Sequence, residues 1–163
     1  MFFVEDEQAY PDEFLELCDK TSIYPVQRGR KIKARRVLEF GKQYYWKDVY
    51  GGKIPEIVEG YGNSVLVNVY DVKSSYIGWH TDTIKNIGNN LVESYSFAKN
   101  DGDKNEILAV MEFKRKNGEK FSINLIHGMK VTWNLQEHAD EEIQHRVSKT
   151  LFPRINITRR KLK

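Results

Sequence analysis

Apolar and polar positions along the chain repeat with two different periods. Near the start, Pro11-Asp12-Glu13-Phe14-Leu15-Glu16-Leu17-Cys18 spaces Phe14, Leu15, Leu17 and Cys18 as one face of a helix. Proline near the start and acids in the first turn suit a helix N-terminus. From Ser64 onward the period shortens to two, as in a pleated strand whose successive side chains leave on opposite faces. This alternation predicts strands near 64–70, 76–80, 92–97, 106–115, 119–125, 129–134, 143–148 and 154–160. Turn signals separate them at 71–75, 99–103, 116–119 and 137–140. Lys116-Asn117-Gly118-Glu119 predicts a hairpin with a type I′ turn, because Asn-Gly tolerates positive φ. The expected fold is mainly β with an N-terminal helix (an α+β chain), and a succession of short strands favours a jelly roll or small barrel.

Length and composition refine this picture without changing it. The 163 residues, 40% hydrophobic and 30% charged, suit one soluble domain with its own core. No apolar run approaches the ~20 residues that cross a bilayer, so no membrane partner is expected. Met1-Phe2-Phe3-Val4 runs directly into Glu5-Asp6-Glu7, unlike a signal peptide, and Cys18 is the single cysteine. An intracellular, reducing location and a monomer are the expectations, with Cys18 in the core.

Net charge is only +3, but it is unevenly spread. The first nineteen residues hold seven acids and no Lys or Arg, whereas residues 27–36 hold six bases and the tail from Arg154 holds five. Tyr44, Tyr45 and Trp46 follow the first basic run. Cations that hold phosphates beside rings that stack on bases suit a nucleic acid, so Arg35, Arg36, Tyr44, Tyr45 and Trp46 are candidate substrate contacts. A solvated basic loop and ordinary strand packing are the plainer alternatives. Gly51-Gly52-Lys53-Ile54-Pro55 and Gly60-Tyr61-Gly62-Asn63 divide residues 1–62, with the helix and the basic run, from a strand-rich core over 63–163.

Candidate chemistry centres on Trp79-His80-Thr81-Asp82. In an extended segment His80 and Asp82 share a face and present an imidazole beside a carboxylate. These are two parts of a facial triad, which holds Fe(II) and leaves coordination positions open; zinc could occupy the same donors. The third ligand would be a downstream histidine: His127, His138 or His145. Trp79, beside the first ligand, reads as wall of the site.

Taken together, Asn68-Val69-Tyr70, His80-Thr81-Asp82, His145 and Arg154-Ile155-Asn156-Ile157-Thr158-Arg159-Arg160 resemble, in order, the motifs of the AlkB-like Fe(II)- and 2-oxoglutarate-dependent dioxygenases. The resemblance spans the C-terminal two thirds. It implies a double-stranded β-helix (jelly-roll) core carrying an N-terminal substrate-recognition lid. It selects His145 as third iron ligand with His80 and Asp82. It implies 2-oxoglutarate contacts from Asn68, Tyr70, Arg154, Asn156 and Arg160, with Arg154 on the distal carboxylate and Arg160 near Asp82. The implied activity is oxidative demethylation of N-alkylated bases in DNA or RNA, as in repair of alkylation damage. It consumes O2 and 2-oxoglutarate and releases formaldehyde, succinate and CO2. The base would be single-stranded or flipped. Two departures bear on substrate: Thr83-Ile84-Lys85 stands where many members carry acids, and Arg159 stands where an aromatic is common. The alternatives are a 2-oxoglutarate oxygenase acting on a protein side chain or small molecule, and a non-catalytic nucleic-acid-binding module.

Overall fold

Period-two alternation is realised as two antiparallel sheets. The computed structural model describes residues 2–6, 10–43, 49–71, 77–82 and 87–163. The larger sheet runs β1 (Phe2–Asp6), β10 (Met129–Asn134), β7 (Ile87–Ala98), β12 (Arg154–Leu162), β5 (Ser64–Tyr70), β4 (Arg36–Gly41). The smaller runs β6 (Ile77–His80), β11 (Gln144–Val147), β8 (Ala109–Lys114), β9 (Lys120–Leu125). From β5 onward the chain passes back and forth between the two sheets, an arrangement compatible with a jelly roll. A two-residue hairpin, β2 (Val26–Gln27) with β3 (Arg30–Lys31), stands apart and holds part of the basic run.

Both faces of the large sheet are covered, which is why β5 is buried at every position. On one face Val65, Val67, Val69, Ile155 and Ile157 pack beneath helix α1 (Asp12–Thr21), meeting Phe14, Leu15 and Cys18. Each such side chain, fully buried, contributes about 1.5–3 kcal/mol. Leu17, expected on that face, is exposed because it projects roughly 100° away from the line through Phe14, Leu15 and Cys18. The opposite face carries Leu66, Asn68 and Tyr70 from β5 and Arg154, Asn156, Thr158 and Arg160 from β12, and looks towards the small sheet. A second apolar cluster, including Val92, Met111, Phe113, Val131 and Trp133, ties the two sheets together.

Several local expectations change. Phe2–Asp6 is a strand paired with β10, and Arg36–Gly41 pairs with β5, so residues before 62 supply both outer strands of the large sheet. Residues 135–140 form a short helix, α2 (Leu135–Asp140), in place of the expected turn: the Asn134 side chain accepts the Glu137 N–H, and Leu135 and His138 turn inward. The β8–β9 connection is not type I′. Only Gly118 has positive φ, its N–H bonds the Arg115 carbonyl, and the Asn117 side chain accepts the Glu119 N–H, as in a type I turn closed by a glycine bulge.

Candidate metal centre

β11 lies between β6 and β8, and its register sets His145 directly opposite His80. Asp82 follows the end of β6 and folds back to the same point. Ligand-type atoms of His80, Asp82 and His145 all lie within 4.8 Å of one another. The Asp82 Oδ1 atom is 3.7 Å from His80 Nε2 and 3.9 Å from His145 Nε2. The two imidazoles meet edge to face, 4.3 Å between centroids.

Each ligand is prepared by its surroundings. His80 Nδ1 lies 2.7 Å from the Gly78 carbonyl. A carbonyl can only accept, so the proton sits on Nδ1 and the Nε2 lone pair faces the site. Burial pulls the His145 imidazole down to about 3, against the pull of Asp82, so it is neutral at ordinary pH and free to ligate. Burial alone would raise Asp82; Arg160, His145 and His80 together outweigh it and hold the carboxyl below its usual value. Arg160 Nε and Nη2 both donate to Asp82 Oδ2, at 3.1 and 2.8 Å, leaving Oδ1 turned to the histidines. Three neutral or anionic donors with no thiolate suit a divalent ion that takes N and O ligands, Fe(II) among them.

The triad opens into a cavity of about 490 Å3. Its walls are Leu66, Met111, Leu125, Trp133 and Val147; its polar lining includes Asn68, Tyr70, Ser94, Arg154, Asn156, Thr158 and Arg160. Arg154 is the unusual member. It is 1% exposed, its Cζ lies 4.1 Å from the Tyr70 ring centroid, and no carboxylate among the described residues pairs with it. Its Nε and Nη1 have no hydrogen-bond partner there. Burial holds its pKa below the usual guanidinium value, with Tyr70 acting in the opposite sense. A buried guanidinium with open donors beside a cavity has the chemistry to receive a carboxylate. A dicarboxylate reaching from Arg154 towards the metal ligands fits this lining, so the residues present suit both Fe(II) and 2-oxoglutarate.

The remaining candidates distribute as follows. Asn68 accepts from Arg35 Nε at 2.7 Å, which brings Arg35 to the cavity rim. Asn156 is held from within, donating to Ser94 Oγ and the Tyr95 carbonyl and accepting from Thr158. Trp79 of β6 borders the cavity, while its indole packs against Lys114 and Arg146 on the far side of the strand from His80. Arg36 lies elsewhere, between Asp19 and Asp71. Tyr44, Tyr45 and Trp46 lie outside the described residues. His127 accepts the Ala98 N–H through Nδ1, and His138 packs on Trp133 and Phe113; neither joins the triad. Thr158 lines the cavity as the alternation of its strand implies, whereas Leu66, Met111 and Trp133 were not singled out in the sequence, although Leu66 shares the parity of Asn68.

No family profile and no curated protein matches the chain. Among solved structures, it is similar to a prolyl-4-hydroxylase from Pseudomonas putida, at 15% identity and a TM-score of 0.43. The match covers 60% of this chain and 51% of that one, so the chain spans about half that structure's length.

Proposed function

We propose that this protein is an Fe(II)- and 2-oxoglutarate-dependent oxygenase. The observation that carries the reading is Arg154: a buried guanidinium with open donors, in the same cavity as His80, Asp82 and His145. Bound Fe(II) would supply oxidative chemistry with O2, coupled to loss of CO2 from 2-oxoglutarate and formation of succinate. The protein's own part is positioning. His80 and His145 would offer their Nε2 atoms and Asp82 its Oδ1, with Arg160 restraining Oδ2, and Arg154 would hold a carboxylate of the cosubstrate. Leu66, Met111, Leu125, Trp133 and Val147 keep the reacting centre poor in water.

For the substrate, the motif resemblance supports an N-alkylated base of DNA or RNA. Hydroxylation of its N-methyl carbon gives a hemiaminal that breaks down to formaldehyde and the free base. A second reading, hydroxylation of a protein side chain or small molecule, is favoured by one observation: Arg36, expected to face the substrate, is committed to Asp19 and Asp71. Anaerobic titration with Fe(II) and 2-oxoglutarate tests the reaction class. A weak absorbance band near ~500 nm, absent in His80→Ala, is expected for a triad with open positions. Absence of the band, with no iron retained, would sink the oxygenase reading. Succinate release on adding methylated oligonucleotides or peptides then separates the two substrates.

A further inference from the structure

The outer face of the small sheet carries a charge arrangement that the cavity does not use. His80 and Trp79 leave β6 on opposite sides, and the indole meets three cations from three other strands. Arg146 Cζ of β11 lies 4.3 Å from its centroid, Lys114 Nζ of β8 4.5 Å and Lys120 Nζ of β9 5.9 Å. Arg146 is paired with Glu112 at 3.0 Å, but Lys114 and Lys120 have no acidic partner among the described residues. The indole face offsets part of their repulsion, and packing lysine stems over it is useful in itself. Packing alone does not require two uncompensated ammonium groups at one ring.

Their position points to a ligand. β6 is an edge strand, so the ring and the cavity mouth lie on either side of a single strand. A groove of about 620 Å3, lined by Lys114, Lys116, Gly118 and Gln144 among others, shares Thr81 with the metal cavity. Arg115 and Lys116 in that groove are neutralised by Glu141 and Glu142, which leaves Lys114 as its uncompensated charge. The three charged groups all lie within 5.9 Å of one ring centroid, a dense positive cluster that suits a polyanion.

We infer that the band formed by Trp79, Lys114, Lys120 and Arg146 binds the phosphodiester backbone of a single-stranded nucleic acid beside the metal cavity. The inference rests on the oxygenase reading for its purpose, not for its test. Phosphates bind the cations and release counterions, while a neighbouring nucleotide reaches round β6 to the mouth. The substrate-holding surface is then the small sheet and not the basic run 27–36.

The test uses the full chain without iron or 2-oxoglutarate, and a labelled oligothymidine of about 12 nucleotides read by fluorescence anisotropy between about 50 and 200 mM salt. Lys114→Gln with Lys120→Gln is expected to weaken binding about tenfold at low salt and flatten the log–log salt slope by about 1.4, at ~0.7 per phosphate contact on a single strand. Lys53→Gln with Lys149→Gln removes the same charge elsewhere and should leave the slope nearly unchanged. Circular dichroism melting shows whether each variant is folded. Equal losses in both double variants, no binding by the unaltered chain, or equal displacement by polyglutamate of matched charge would each overturn the inference, the last in favour of an acidic peptide. Because iron and 2-oxoglutarate binding are measured separately, failure here and failure of the oxygenase reading are distinguishable.

Discussion

Two clusters of buried or half-buried charge sit on either side of β5, and they are built on opposite plans. Beneath α1, Arg36 donates to both Asp19 and Asp71, and Lys99 bridges the same two acids. Two cations meet two anions, and each guanidinium nitrogen of Arg36 has a partner. In the cavity the Asp82 carboxylate pairs with Arg160, while Arg154 has no carboxylate partner among the described residues and is left with open donors. The first cluster is complete as folded and ties the helix to the sheet. The second leaves buried guanidinium donors open beside the cavity. A buried unpaired guanidinium costs stability, so its persistence in a cavity distinguishes a receptor from a brace.

The largest effect should come from removing the receptor. Arg154→Met should lower affinity for 2-oxoglutarate on the order of 100-fold, from the 2–5 kcal/mol that truncating one partner of a buried charge pair costs. Calorimetric titration checks this. The same variant without cosubstrate should melt at or above the unaltered protein's temperature, since an uncompensated charge has been replaced by a similar apolar volume. A clear loss of stability would mean that Arg154 is a brace after all.

Arg36→Gln should behave in the opposite way. Its ion pairs are half-buried, so the expected loss is about 1–3 kcal/mol, between the values for exposed and buried pairs. Denaturant unfolding should show it, and 2-oxoglutarate affinity should not change. A matching loss of affinity would erase the contrast between the clusters.

Acid should act on the brace first. Hydrogen bonding from Arg36, joined by Lys99 and opposed by partial burial, lowers the Asp71 carboxyl from 3.8 to about 2. A depressed carboxyl contributes stability above its unfolded value and loses it as pH falls through the folded one. Melting temperature should therefore decline between about pH 4 and pH 2, and Arg36→Gln should flatten that decline. An unchanged slope in the variant would show that Asp71 is not the group responsible.

The smallest effect concerns Cys18, buried under the same helix. Burial, with Asp19 nearby, pushes its thiol up to about 12. Ellman's reagent should react only when the protein unfolds, which makes the thiol a reporter of the α1 side that leaves the cavity undisturbed. Prompt reaction in the folded protein would show that α1 opens on its own.

Local pattern determined much of this molecule. The pleat forces residues two apart onto one face, so Arg154, Asn156, Thr158 and Arg160 had to line one surface of β12, with Ile155 and Ile157 on the other. The same rule paired Asn68 with Tyr70 and placed the strand over 64–70. Helical spacing put Phe14, Leu15 and Cys18 under one roof. Other features depended on contacts between residues far apart in the chain, which leave no local signature. Nothing near His145 separates it from His127 or His138 by chemistry; the β11–β6 register brings it to His80. Arg36 and Arg154 are both arginines at the start of a strand; the arrival of Asp19 and Asp71 makes a brace of the first, and the second, with no carboxylate partner among the described residues, keeps open donors. Trp79 gathers its cations from β8, β9 and β11, residues 35 to 67 positions away in sequence. Strand periodicity is a property of the backbone, whereas the fate of a charge is set by whichever distant partner the tertiary structure delivers.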